Sequence, residues 1–245
     1  MRPLAILLVV AIAAFVYSFV MMRQAMRALT VRLRNNARNP HGKNRSFERF
    51  GMPGVVVAND LLDEYGLSGY SIVPCNSITT NRCDFNDERI ILSNHVYDGS
   101  TNVSVSIAAH EAAHAKVDSD SPWTASLATR LKLLRHFLYA EIAAFLVTGV
   151  AAYGLGAVEI PFPYMPMVGA IALLVTNILL AVITLVDEYR TSFTAIAFIE
   201  RQYGACGRKA ARCATILKEA LVTYAWTGIV YILGSVALVL LFAII

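Results

Sequence analysis

Charge is scarce in this sequence. Asp, Glu, Lys and Arg together make up 16% of its 245 residues, against the roughly 25% of an ordinary soluble domain. The shortage is concentrated in three tracts. Residues 4–22 and 221–245 carry no charge at all, and residues 137–186 carry only Glu141 and Glu159. With 57% hydrophobic residues, the chain is too apolar for a typical water-soluble domain of this size. Cysteine is also sparse: Cys75, Cys83, Cys206 and Cys213 are the four. Their spacings match no standard zinc knuckle and exclude a disulfide-dense secreted scaffold. The basic residues lack clustered aromatic partners, which argues against nucleic acid as a ligand. No internal repeat and no low-complexity linker is present.

The apolar tracts are present instead. A helix needs about 20 apolar residues to cross a bilayer. The first and last tracts each supply one span. The middle tract is interrupted by Gly154, Gly156 and the prolines 161, 163 and 166. It reads as two spans, 137–157 and 167–186, joined by a Pro-rich turn. The expected fold class is therefore a mainly α integral membrane protein with four transmembrane helices. A small α+β, zincin-like unit lies between spans one and two.

The first span reads as an uncleaved anchor, because Arg2 alone precedes it and a dense basic stretch follows, the reverse of a secretory signal. Fourteen Lys or Arg lie between spans one and two and six between spans three and four, leaving Arg2 alone on the other side. The positive-inside rule places both segments in the cytoplasm and both termini outside the plasma or inner membrane. The cysteines are then expected to be reduced thiols. Cys75 and Cys83 flank a loop, and would pair only in the inverted topology. Arg23, Arg27, Arg32, Arg34, Arg38, Lys43, Arg45 and Arg49 are expected against anionic lipid headgroups.

The chain thus divides into an anchor (1–22), a basic membrane-proximal connector (23–49), a cytoplasmic unit (50–136), two transmembrane helices (137–186), a second cytoplasmic segment (187–220) and a final span (221–245). The connector ends in a polar turn at 39–45. Within the cytoplasmic unit, residues 53–67 have helical periodicity, with Gly66 as the stop. Residues 70–74 and 89–93 favour strands, with 75–87 as the loop between them. Asp98-Gly99-Ser100-Thr101 reads as a turn followed by helix-capping chemistry.

That helix carries His110-Glu111-Ala112-Ala113-His114. Two histidines four apart lie on one helical face, so both imidazoles can converge on one zinc ion. Zinc in a hydrolase keeps three protein ligands and one open position for water. Glu111 is then the general base for that water, in the manner of a metallopeptidase. The flanking alanines suit a buried helix, where two histidines and a glutamate are costly without a ligand.

A third ligand must come from elsewhere. Asp118 is too close along the same helix and fits a residue that hydrogen-bonds the back of a metal-bound histidine, or a solvated one, better. Glu141 falls in the first turns of span two, and Glu188 just beyond span three on the same membrane side as the motif. Spacing and topology favour Glu188, with Glu141 as the alternative. Asp120, His41, His95 and His136 have no particular claim.

Residues 87–115 resemble the YugP-type membrane zinc metallopeptidases. The resemblance rests on Arg89 through Ser93, on Val96-Tyr97-Asp98-Gly99-Ser100, and on Ala108 through Ala115. Ala113 stands where that family usually has Gly. The order of spans and motifs is also similar. The resemblance implies that the third ligand is Glu188, within Asp187-Glu188-Tyr189-Arg190-Thr191-Ser192. It implies one zinc per chain and a protein or peptide substrate. The heat-shock membrane proteases share the motif but carry two spans before it. Outside catalysis, the expected alternative is a membrane scaffold or chaperone-like protein retaining a structural metal site. A small transporter built around Glu141 is a weaker third.

Overall fold

The computed structural model describes residues 2–41, 50–154, 165–203 and 208–244. The chain is mostly helical with one small sheet. Long apolar runs form α1 (Arg2–Arg38), α6 (Met165–Gln202) and α7 (Arg208–Ile244). Among the described residues these three helices are long and apolar enough to cross a membrane. The expected span 137–157 falls on α5 (Pro122–Gly154), and its last residues lie outside the described ones. So do most of the Pro-rich turn, residues 42–45 of the polar turn, Lys43, Arg45, Arg49 and Cys206.

The chain separates into two compact units. One comprises residues 1–23, 125–184 and 224–245, the other residues 24–124 and 185–223. In the first, Leu138 and Ile142 of α5 pack with Ala170 and Leu173 of α6. Asn177 of α6 donates from Nδ2 to Ser235 Oγ of α7 at 2.7 Å, the polar contact that replaces hydrophobic drive between apolar helices.

The second unit is built around α4 (Asn102–Asp120). Gly54 opens α2 (Gly54–Glu64), which packs on α4 through Val57, Ala58, Leu61 and Leu62. Gly66, at φ +69°, ends α2: its N–H reaches the Asp63 carbonyl, and the Leu67 N–H reaches that of Leu62. This left-handed C-terminal turn favours glycine. The sheet has the order β1 (Ser71–Cys75), β3 (Arg89–Ser93), β2 (Arg82–Asp84). β1 and β3 run parallel, while β2 pairs antiparallel with β3. The loop expected over 75–87 therefore contains a strand. Its three residues are too few to show alternation, and β3 supplies the pairing that makes them extended. Cys75, Cys83 and Cys213 are free thiols.

β3 leads through α3 (Asn94–Tyr97) into the cap of α4. Thr101 Oγ1 accepts from the Ser104 N–H at 3.1 Å and donates to Asn36 Oδ1 at 2.5 Å. Asn36 Nδ2 donates to Ser104 Oγ at 3.0 Å, and that hydroxyl donates to the His95 carbonyl at 2.9 Å. This buried network fixes where α4 begins, and therefore where its later turns point.

Close packing of α2 on α4 depends on Gly54. A Cβ there overlaps the Val96 carbonyl oxygen and comes within 3.0 Å of Ala108 Cβ. Gly54→Ala is expected to cost about 1–3 kcal/mol, read as a lowered thermal midpoint of the purified protein. An unchanged midpoint would show that this contact relaxes freely.

Candidate metal centre

Most of α4 is buried, and its small residues allow that. Ala108, Ala109, Ala112, Ala113 and Ala115 have no exposed surface, and the same core holds Ala195, Phe198 and Ile199 of α6 and Leu217 of α7. His110 and His114 lie one turn apart, with ring centroids 4.8 Å from one another.

α6 brings Glu188 to this pair, within the same compact unit. Its Oε2 lies 3.2 Å from His110 Nε2, and its Oε1 lies 3.9 Å from His114 Nε2. One ligand atom from each of His110, His114 and Glu188 falls within 4.8 Å of the other two. Tetrahedral bonds of about 2.0–2.1 Å to zinc separate the ligand atoms by roughly 3.3–3.5 Å. Two imidazole nitrogens and a carboxylate at these spacings fit a zinc ion, and three protein ligands leave a fourth position open.

Beyond Glu188, the same helix supplies contacts to the far ring nitrogens. Thr191 Oγ1 is 3.2 Å from His114 Nδ1, and Ser192 Oγ is 3.4 Å from His110 Nδ1. Asp187 Oδ2 is 3.6 Å from His114 Nδ1. Residues 188, 191 and 192 share a face because i+3 and i+4 positions stack along a helix. An Nδ1 engaged in this way leaves Nε2 for a metal. The sequence reading missed these partners; the i, i+3, i+4 spacing from Glu188 was the available signal.

Glu111 sits beside the group with part of its surface open to solvent. Burial pushes its carboxyl up to about 7, with neighbouring Glu188 adding to the rise, while His110 and a hydrogen bond from the Cys83 backbone N–H oppose it. Burial alone lowers the pKa of His110, but its hydrogen bond to Glu188 and the charges of Glu111, Glu188 and Asp187 outweigh this and hold it above the ordinary value. The Cys83 amide comes from β2, so no side-chain pattern could announce it. Burial raises the Cys83 thiol as well.

The other residues weighed from the sequence lie elsewhere. Asp118 is half-buried on α4, one turn beyond His114. Glu141 is exposed on α5 in the other compact unit, its carboxylate 3.4 Å from where a Gly169 Cβ would stand. His95 is buried on α3, with Nε2 3.5 Å from Ser93 Oγ.

The hydroxyl contacts make a direct prediction. Ser192→Ala and Thr191→Val are each expected to weaken zinc binding by about 10–100-fold, measured by competition with a calibrated chelator. Affinity within twofold of the unsubstituted protein would show that these hydroxyls do not orient the rings.

A family model described as "Putative neutral zinc metallopeptidase" matches residues 6–243, nearly the whole chain. No curated protein and no solved structure matches it.

Proposed function

The chain belongs to that metallopeptidase family, and from this premise we propose that it is a membrane-embedded, zinc-dependent endopeptidase that hydrolyses peptide bonds. The observation carrying the reading is the approach of Glu188, from a helix long and apolar enough to span a membrane, to 3.2 Å from His110 Nε2. His110, His114 and Glu188 would hold one zinc ion. When bound there, zinc supplies a Lewis acid for a substrate carbonyl and makes water a stronger acid.

The chain's own residues do the proton work. Glu111 takes a proton from the attacking water as its oxygen bonds to the carbonyl carbon. It returns that proton to the amine as the C–N bond breaks. The Cys83 N–H steadies the Glu111 carboxylate in its charged form. Thr191 and Ser192 orient the imidazoles.

In this reading the helix α5 supplies a fourth span and both termini lie outside. The site faces the cytoplasm at the membrane, where the basic residues meet anionic lipid. The expectation rests on the distribution of Lys and Arg.

The test is peptide hydrolysis by the detergent-purified chain. Activity should disappear on chelation, return with zinc and fall steeply in the Glu111→Gln protein. Hydrolysis that survives chelation would overturn the reading.

A further inference from the structure

The compact unit made of residues 1–23, 125–184 and 224–245 holds two cavities that share one side chain. The smaller, about 80 Å³, lies between α5, α6 and α7, and Lys132, Arg135, Thr184 and Thr227 give it polar walls. The larger, about 360 Å³, lies between α1, α5 and α7, with Phe15, Phe19, Val230 and Leu238 in its walls. Tyr231 lines both. We propose that the pair seats one anionic phospholipid of the surrounding bilayer, its phosphate beside Lys132 and Arg135 and an acyl chain in the larger cavity.

Three apolar tracts have their ends at the smaller cavity. Lys132 and Arg135 stand just before the tract that begins at 137, Thr184 near the close of the same tract at 186, and Tyr224 near the start of the one that begins at 221. Each helix therefore reaches the cavity where its apolar run meets polar sequence, the level at which headgroups lie. Tyr224 and Tyr231 suit that level, because a phenol is apolar along its body and polar at its tip. The larger cavity continues into the apolar tracts: Gly234 and Leu238 follow Tyr231 by about one and two turns of α7.

Charge decides the class of lipid. Among the described residues no carboxylate lines either cavity, and neither Lys132 nor Arg135 forms an ion pair. The Arg135 guanidinium carbon lies 4.5 Å from the centroid of the Tyr231 ring. A ring contact holds the guanidinium in place without consuming its N–H donors, and those donors match phosphate oxygens. Lys132 precedes Arg135 by about one turn on the same side of α5 and adds a second positive charge. A zwitterionic lipid would bring its own cation to a site that is already positive.

Size decides the arrangement. A cavity of about 80 Å³ has room for several water-sized groups, enough for a phosphate and too little for a drug-sized ligand. A soluble phosphate would meet the two cations yet leave the adjoining apolar cavity unfilled, whereas a phospholipid fills both. The proposal rests on the membrane placement of these helices and not on the peptidase chemistry, so its readout is bound lipid rather than hydrolysis.

The test uses the full chain in neutral detergent, titrated with phosphatidylglycerol or phosphatidylcholine of identical acyl chains, with bound lipid counted by native mass spectrometry. Phosphatidylglycerol should bind about 30-fold more tightly, since each basic side chain at a membrane surface contributes about fivefold, and it should raise the thermal midpoint. Lys132→Gln should lose about fivefold of that preference, Lys132→Arg should keep it, and Lys132→Gln/Arg135→Gln should bind both lipids alike. The side chain of Lys132 is exposed, so its single substitution stays informative if loss of the Arg135–Tyr231 contact unsettles the double variant. Arg130→Gln/Lys218→Gln removes the same amount of charge from positions that line neither cavity, and should leave the preference intact. Glycerol 3-phosphate, which carries the phosphate without the chains, should not displace the lipid at equal concentration. Equal binding of the two lipids, full preference in Lys132→Gln, the same loss in Arg130→Gln/Lys218→Gln, or displacement by glycerol 3-phosphate would overturn the proposal.

Discussion

Glu111→Gln is expected to lower peptide hydrolysis by about 10²–10⁴-fold while leaving zinc content and thermal stability close to those of the unsubstituted chain. The substitution keeps the size of the side chain and removes its capacity to accept a proton. Glu111 is not among the three residues that could hold a metal, so metal retention should be unaffected. A scaffold with a structural metal would show no such split between metal content and activity. Full hydrolysis by the Glu111→Gln protein would remove the general-base role.

The same residue sets an expectation for pH. Burial raises the Glu111 carboxyl to about 7. A base must be deprotonated to act, so activity should fall as pH drops through its pKa. A divalent cation beside it favours the carboxylate and moves this limb to lower pH. Measured on kcat/KM, the acid limb should vanish in Glu111→Gln together with the activity.

Glu188→Ala carries the second large effect. Disturbing a residue that only orients a metal ligand costs 10–100-fold in affinity, and removing a ligand should cost more than about 100-fold. Metal analysis after gel filtration should find zinc in the unsubstituted chain and almost none in Glu188→Ala. Glu141→Ala is the matched control, because it removes the other carboxylate weighed from the sequence and lies in the other compact unit. Zinc retained without Glu188 but lost without Glu141 would overturn the assignment. Glu188 is 7% exposed and pairs with His110, so its loss also leaves a buried imidazole without its anion. A lower thermal midpoint should accompany the lost metal.

How much of this was legible in the residues differs from element to element. His110 and His114 were readable because both belong to one helix, where a spacing of four dictates a shared face. A helix cap at 98–101 was readable because capping is chemistry between near neighbours, and the structure assigns it to Thr101. Gly66 was readable because few other residues accept its positive φ. Strand β2 was not, since three residues carry no period and only β3 makes them extended.

The continuity of the long helices was also hidden. Residues 23–38 carry an anchor's apolar pattern into a basic one, and only the structure shows α1 running unbroken through that change. Likewise α6 passes from its apolar stretch through Glu188 to Gln202 as one helix. Helix continuity depends on backbone hydrogen bonds, which survive a change from apolar to polar side chains.

By itself, then, the sequence determined what rests on local spacing and composition. Those are the paired histidines, the adjacent glutamate, the helix cap and the apolar stretches long enough for a membrane. The tertiary structure decided which distant groups meet them: the Glu188 carboxylate at His110, the Thr191 and Ser192 hydroxyls at the far ring nitrogens, and the Cys83 amide at Glu111. The division has a physical cause. Helical periodicity is a property of neighbours along one chain segment, whereas these contacts arise where α6 and β2 pack against a face of α4 kept small by alanines.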